Sequence, residues 1–238
     1  MFYEKQAFKA RLRDELEKKI TLEHPIFDEV MGAVPNHRLL RKMALQGYQL
    51  TKHFLDYVET LFYFCPIPEH KKRLLFNLFE EETGRLSKTK NHVVLMQNFM
   101  TAIGISEKER EAEIAYPETK ELIDYRMKLV KDRNTYHMGA AAVMIGSEGQ
   151  NLETKAGAAR HELLPRLYNL VEKDLLFFSV HQAEDIGHVK EGIDLVADLC
   201  VDEKMQREAL EAVAKTCDLF IAMYDGIYKR EFPEKAIA

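Results

Sequence analysis

Two histidines and one aspartate share a stripe of a predicted helix late in the chain. His181, Asp185 and His188 are spaced by four and then three residues. Each residue turns a helix by about 100°, so the three side chains project in nearly the same direction. Two imidazoles and one carboxylate on a stripe are typical of one edge of a metal site. The alternative is a solvated helix face that carries an Asp and His pair.

Further ligands must come from other helices, because one stripe supplies only part of a coordination sphere. Glu80, Glu81 and Glu82 end an apolar helix, and spacing alone does not choose among them. Glu148 lies in a run of small and apolar residues, where burial of a carboxylate calls for a compensating cation. With His92, these groups form a mixed oxygen and nitrogen set of the kind that builds dinuclear iron or manganese sites in helical bundles.

Glu81 and His92 can share a metal only if the chain turns back between them. Along one straight helix the eleven residues from Glu81 to His92 would span about 16 Å. Gly84 follows the apolar helix and precedes a polar stretch, which favours a helix cap and a loop. The sequence therefore predicts a break after Gly84 that returns His92 to the side of Glu81.

The composition argues against a nucleic-acid or membrane partner. The chain has 238 residues, 46% of them hydrophobic, and a formal net charge of -5. It has no basic stripe to neutralise phosphates and no apolar run of the roughly 18 residues that a membrane span requires. Its three cysteines have neither a paired number nor metal-site spacing, which favours a reducing compartment. We expect a cytoplasmic protein.

Apolar residues recur at three- and four-residue spacing through most of the chain, and prolines and glycines are few. This pattern predicts an all-α fold in a single domain that spans residues 1–238, with no internal repeat and no linker. The predicted helices cover residues 3–21, a short turn that ends near 32, 37–64, 69–83, 91–104, 118–135, 137–151, 155–170, 172–199 and 204–230.

Taken together, these motifs resemble the haem-oxygenase-like diiron oxidases and oxygenases. The matching segments are Glu23-His24-Pro25, Asn77-Leu78-Phe79-Glu80-Glu81-Glu82-Thr83-Gly84, the following His92, Ser147-Glu148-Gly149-Gln150, and His181-x3-Asp185-x2-His188. Length, helix order and spacing are also similar along nearly the whole chain. The pattern fits the branch of the chlamydial death-domain-associating protein, and the PQQ-synthesis oxidase and TENA families are more distant.

The resemblance implies a single-domain haem-oxygenase-like helical bundle that binds two iron ions and uses dioxygen as co-substrate, with an external electron donor. It favours Glu81 over the two neighbouring glutamates, while the interval before His92 is longer than the shortest family pattern. Carboxylates would stabilise the higher oxidation state and imidazoles would hold the irons. The metal ligands carried over are Glu81, His92, Glu148, His181, Asp185 and His188.

Two groups of residues are candidates for substrate binding. Tyr48 and Lys52 are four residues apart on a long helix, so the lysine could pair with a substrate carboxylate near the metal bundle, or else snorkel at the surface. A second group is expected to line an apolar cavity, although aromatic residues at helical spacing also form simple cores. It consists of Phe27, Phe54, Tyr57, Met144, Phe177 and Phe178.

We therefore expect a diiron oxidase or oxygenase of biosynthesis that acts on a bulky, aromatic α-amino acid. The amine and α-carbon would be oxidised with C–C cleavage, and nitrile formation is one such outcome. Alternatives within enzymes are alkene-forming decarboxylation of a fatty acid and a self-sacrificing p-aminobenzoate-type oxygenase. A metal-free TENA-like hydrolase and a partner-binding helical module belong to different classes. The expected partner is a small-molecule substrate, and a homodimer is compatible with this interpretation.

Overall fold

Eleven α-helices account for most of the residues that the structure describes. The computed structural model describes residues 2–19, 21–151 and 160–233, without the side chains of Leu22, Asn151 and Asp185. No strand occurs in these ranges, so the all-α prediction is confirmed. The helices are α1 Lys5–Glu17, α2 Pro25–Met31, α3 His37–Phe64, α4 Pro68–Thr83, α5 His92–Ala102, α6 Glu107–Ala112, α7 Pro117–Lys131, α8 Tyr136–Ala141, α9 Arg160–Tyr168, α10 Leu176–Leu199 and α11 Glu203–Glu231.

Most predicted helix boundaries agree with the structure, and the differences have local causes. Helix α6 was not predicted because it buries no residue and so has no apolar periodicity; only its Ser106 and Glu109 capping box marked its start. The predicted helix 118–135 ends at Lys131, and Arg133–Thr135 forms a 3₁₀ turn. The first part of the predicted helix 155–170 lies outside the described residues. Within the described ranges, no helix combines the length and the apolar character that a membrane crossing needs.

The predicted break after Gly84 is confirmed. Gly84 caps α4 in the left-handed conformation, with φ of 61°, and a Cβ there would collide with the backbone of Lys90. Asn91 then starts α5, because its side-chain oxygen accepts hydrogen bonds from the amides of Val93 and Val94 at 2.8 and 3.3 Å. Helices α4 and α5 therefore lie side by side, and the first residue of α5 is His92.

The segment that follows α8 forms the centre of the core. The predicted helix 137–151 is α-helical only to Ala141; it continues as a π-helix over Ala142–Ser147 and as a 3₁₀ turn over Glu148–Asn151. Residues 139–150 are all buried, with α1, α10 and α11 packed against this segment. Wide π turns inside helices are frequent at functional sites. This one places Glu148 in the interior of the bundle.

Close packing around this segment depends on a glycine in α10. A Cβ at Gly192 would lie 2.7 Å from the Cβ of Met144 and closer still to the Met144 carbonyl oxygen. At Gly187, five residues earlier in the same helix, an added Cβ would meet no atom within 4 Å. The two glycines therefore form a matched pair for testing how tightly α10 contacts the π turn.

Gly192→Ala should lower the free energy of unfolding of the metal-free protein by about 1 to 3 kcal/mol, because backbone atoms must shift to admit the methyl group. Gly187→Ala should instead leave it unchanged or raise it by about 0.5 to 1 kcal/mol through helix propensity. Urea unfolding, monitored by circular dichroism, measures both free energies. Equal effects of the two substitutions would contradict the close approach of α10 to Met144.

Candidate metal centre

The structure separates the three glutamates at the end of α4 by what each one contacts. Glu80 accepts hydrogen bonds from the amides of Leu86 and Ser87, at 2.6 and 3.2 Å, and so holds the loop after Gly84. Glu82 is exposed and accepts a hydrogen bond of 3.0 Å from the side chain of Asn91. The buried Glu81 is left to face the interior.

Glu81 meets two histidines from different helices. Ligand atoms of Glu81, His92 and His181 all lie within 4.8 Å of one another, and Oε2 of Glu81 is 2.9 Å from Nδ1 of His92. Neither ring nitrogen of His92 makes a well-aligned hydrogen bond to a described residue. His181 donates from Nδ1 to the carbonyl of Phe177 at 2.6 Å, which leaves Nε2 as its lone-pair nitrogen. The three groups can therefore hold one cation.

Glu148 and His188 form a second pair of ligand-type groups. Nδ1 of His188 is 3.5 Å from Oε1 of Glu148, and the side-chain nitrogen of Asn77 lies 3.5 Å from the same oxygen. Oδ1 of Asn77 is buried and has no hydrogen-bond partner in the part of the chain that the structure describes. The side chain of Asp185, which belongs to the same predicted ligand set, lies outside the described residues.

The two histidines of α10 have opposite electrostatic surroundings. Burial, followed by the nearby His92, lowers the pKa of His181 to about 4, so its imidazole is neutral near pH 7. Burial also opposes charge on His188, but the hydrogen bond and charge of Glu148 outweigh it and raise the pKa of His188 to about 9. Burial acts against the Glu148 carboxylate as well, yet His188 holds the pKa of Glu148 below its usual value. Without a cation, the buried Glu148 and the partly buried His188 thus form an ion pair.

Glu184 is a further candidate ligand that the sequence analysis missed. Ligand atoms of Glu80, His92 and Glu184 also lie within 4.8 Å of one another, and Oε2 of Glu184 is buried with no hydrogen bond from a described residue. Burial, together with the charge of Glu80, raises the pKa of Glu184. Glu184 follows His181 by three residues, so helical spacing alone would have placed it beside the predicted stripe.

A cavity of about 170 Å³ adjoins these ligand-type groups. Glu81, Glu148 and His181 lie on its wall. Four phenylalanines that were predicted to line an apolar cavity also lie on this wall: Phe27, Phe54, Phe177 and Phe178.

Tyr48 and Lys52 do not lie where they were predicted. Lys52 is exposed, with its ammonium 5.3 Å from the centre of the Tyr48 ring. The Tyr48 hydroxyl accepts a hydrogen bond of 2.8 Å from Gln97. Neither residue is among the described side chains that line the cavity. This face of α3 packs on α5 in one part and is exposed to solvent in another. The surface alternative for Lys52 is the correct one.

Met144 and Tyr57 also lie away from the cavity. Met144 is in the π turn, packs under Gly192, and lines a separate small cavity with Asn77. Tyr57 is fully buried in the core, where its hydroxyl lies 3.4 Å from the carbonyl oxygen of Ile123. The expectation for Met144 assumed a regular α-helix, and the wider π turn changes the direction in which its side chain projects.

Comparison with known proteins identifies the family. Residues 41–221 match the family model described as iron-containing redox enzyme. The chain belongs to this family. The match spans most of the chain, from the second turn of α3 to the middle of α11, and includes every ligand-type residue named above.

Relatives of this iron-containing redox enzyme carry one shared name. The chain is 24% identical to a 4-aminobenzoate synthase of Nitrosomonas europaea over 232 residues, covering 93% of this chain and 91% of that protein. It is 24% identical to a 4-aminobenzoate synthase of Chlamydia muridarum over 211 residues, covering 87% and 86%.

Solved structures confirm the haem-oxygenase-like architecture. A TenA homologue from Pseudomonas syringae superposes with a TM-score of 0.77 at 16% identity, covering 94% of this chain and 92% of that one. A domain with a haem oxygenase-like fold from Shewanella denitrificans gives a TM-score of 0.71 at 13% identity, covering 99% and 97%.

The described residues fit the iron that this family implies. Buried carboxylates and imidazoles without a cysteine among them form an oxygen and nitrogen donor set suited to iron. Both nitrogens of His92 and one oxygen of Glu184 are buried without well-aligned hydrogen bonds to this part of the chain, and a bound cation would satisfy one of the two nitrogens and the oxygen. Orphaned polar atoms that converge within one cluster are therefore the structural observation that favours iron here.

Glu81→Ala should weaken iron binding at least about tenfold, because it removes a carboxylate from the His92 and His181 cluster. Glu82→Ala changes the neighbouring, exposed glutamate and should leave iron affinity within about twofold of the unmodified chain. Anaerobic ferrous titration, with bound iron measured by elemental analysis, gives both results. Loss of iron from both variants, or from neither, would exclude the proposed role of Glu81.

Proposed function

We propose that this protein is a non-haem diiron oxidase or oxygenase that uses dioxygen to oxidise a bulky, aromatic α-amino acid at its amine and α-carbon. One observation carries the proposal: ligand-type groups Glu81, Glu148 and His181 form part of the wall of a cavity that is otherwise rich in phenylalanine. A redox centre at such a wall would act directly on an apolar substrate.

Two groups of residues support two iron ions rather than one. Glu81, His92 and His181 would hold one ion, and Glu148 and His188 the other, with Asp185 as an expected ligand and Glu184 as an additional one. Bound iron would supply electrons to dioxygen and so permit oxidation of an unactivated substrate. Carboxylates on α4, on the 3₁₀ turn after the π segment and on α10 would hold the ions from several sides of the bundle.

The chain's own residues have separate tasks in this proposal. The hydrogen bond from His181 to the Phe177 carbonyl fixes the ring and its tautomer. Phe27, Phe54 and Phe178 would bind the aromatic body and exclude water from the site. Asn77, which lines the smaller cavity, would help to orient Glu148, since its side-chain nitrogen lies 3.5 Å from Oε1 of Glu148.

With two ferrous ions per chain, dioxygen uptake should rise above the substrate-free rate on addition of tryptophan, tyrosine or phenylalanine. His181→Ala should abolish this rise, because a lone-pair nitrogen is lost from the cluster. His53→Ala is the control, since His53 is half-exposed on α3 and pairs with Asp56 at 3.3 Å, away from the cavity. An oxygen electrode measures uptake and mass spectrometry identifies the product.

Fewer than about two irons per chain, or uptake that no amino acid stimulates, would contradict the proposal. Stimulation by dodecanoic acid alone would favour the alkene-forming alternative. Unchanged uptake in His181→Ala would exclude the metal role of the stripe on α10.

A second candidate function is formation of 4-aminobenzoate, which the shared name of the relatives favours. In the self-sacrificing form of this reaction the chain would supply the aromatic ring from one of its own tyrosines and the amine nitrogen from a second side chain, such as that of a lysine. Tyr224 is the tyrosine that lines the cavity among the described residues, and it packs edge-on against Phe27 with ring centres 5.1 Å apart.

For this second candidate, ferrous protein supplied with dioxygen and a reductant, and no added substrate, should release 4-aminobenzoate. The amount should not exceed one molecule per chain if a side chain is consumed. Tyr224→Phe should abolish release, and Tyr63→Phe, which changes a surface tyrosine that is 70% exposed, should not. Mass spectrometry of the small molecule and of the intact chain checks this. An intact chain with no 4-aminobenzoate would exclude it.

A further inference from the structure

Arg126 is a buried cation that the metal centre does not use. It lies in α7, is 1% exposed, and lines the same cavity as Glu81, Glu148 and His181. Arginine is almost never fully buried without a partner, because the charge loses its hydration. The surroundings of Arg126 therefore need an explanation.

The protein supplies hydrogen-bond acceptors for only part of this guanidinium. Nε donates to the carbonyl of Leu122 at 3.2 Å, and Nη1 donates to the hydroxyl of Ser147 at 3.0 Å. Nη2, which carries two N–H groups, is buried and finds no hydrogen-bond acceptor among the described residues. Within the same part of the chain no carboxylate is paired with Arg126, and burial is the main influence on its pKa, which it lowers.

Aromatic rings hold the guanidinium in place without neutralising it. Its central carbon lies 4.8 Å from the centre of the Tyr57 ring and 5.6 Å from that of Phe220. Burial raises the pKa of Tyr57, so this phenol is neutral and supplies no counter-charge. The rings therefore fix the orientation of a cation that belongs to the cavity wall and has one nitrogen without an acceptor among the described residues.

We propose that Arg126 binds the carboxylate of an organic acid that enters this cavity. A planar guanidinium with unused N–H groups is suited to a carboxylate, and the phenylalanines of the wall would take an apolar body. Arg126 contacts Ser147, the residue before Glu148, so a carboxylate bound to Arg126 would lie close to the chain segment that carries Glu148. The acid's status as substrate rests on the proposed function, whereas its binding does not require iron.

Arg160 also lies on the cavity wall, but its position differs. Its central carbon lies 4.8 Å from the centre of the Phe178 ring, and it takes part in further contacts. In the described ranges, Arg126 is the arginine that has a buried nitrogen without a hydrogen-bond acceptor. The exposed Lys52, predicted from the sequence to take the carboxylate, is not among the described residues that line the cavity.

Calorimetric titration of the full chain, after removal of metals by a chelator, tests the proposal. The probes are 3-phenylpropanoate, indole-3-propanoate and dodecanoate, each compared with its neutral amide. At least one acid should bind about tenfold or more tightly than its amide, as expected for hydrogen bonds to a charged group. Arg126→Met should remove this preference, and Arg126→Lys should reduce it by losing the planar donor geometry.

Arg133→Met is the matched control, because Arg133 also lies over an aromatic ring, 4.6 Å from the centre of Phe64, but is exposed and outside the cavity. It should keep the preference for the acid. Equal binding of acid and amide by the unmodified chain, no binding of any probe, or a preference that survives Arg126→Met would each overturn the proposal.

Thermal unfolding separates this role from a structural one. Arg126→Met should leave the melting temperature of the ligand-free chain unchanged or higher, since it removes an unpaired buried charge and Ser147 still donates to the Ala142 carbonyl at 3.0 Å. The tightest acid should raise the melting temperature of the unmodified chain only. If Arg126→Met does not fold, the Arg126→Lys variant is used instead. An unchanged preference of Arg126→Lys for the acid over the amide overturns the proposal. Absence of oxygen uptake would leave these binding results unaffected.

Discussion

The burial of one carboxylate in the middle of the helical core is the constraint on which the candidate site depends. Glu148 lies within residues 139–150, all of which are buried. The small side chains around it cannot replace lost hydration. His188 and Asn77 both approach the same oxygen at 3.5 Å, yet Asn77 Oδ1 and both nitrogens of His92 remain without hydrogen bonds to the described residues. As a hydrogen-bonded network this arrangement is incomplete, and as a set of donors for a cation it is suitable.

The π turn before Glu148 links the two charged parts of the cavity. Its last residue, Ser147, accepts a hydrogen bond from Arg126, and the next residue, Glu148, lies beside His188. A regular helix would rotate these two residues relative to α7 and α10, so the wider turn matters for both contacts. Gly192 permits it, since any larger residue would displace the Met144 backbone. The backbone irregularity and the glycine thus serve the same local geometry.

The sequence was most informative where a local backbone rule was involved. Gly84 predicted the break between α4 and α5, because a left-handed cap is a local property that glycine favours. Apolar periodicity likewise identified the long helices. Apolar periodicity could not predict whether Lys52 faces the cavity or solvent, since α3 has a wide apolar face and packs on several helices along its length. The predicted orientation of the Met144 side chain was wrong for a different reason, because no sequence rule marked the π turn.

Glu184 and Arg126 were missed because charged residues of amphipathic helices are normally assigned to solvent. Tertiary packing buries an atom of each that has no hydrogen bond to the described part of the chain. The cavity wall carries Glu81, Glu148 and His181 together with the guanidinium of Arg126, so it presents both acidic groups and a buried cation. An acidic head group is repelled by Glu81 and Glu148 and attracted by Arg126. A substrate with an acidic end and an apolar body would therefore enter in one orientation, which is the condition for oxidation at a defined carbon.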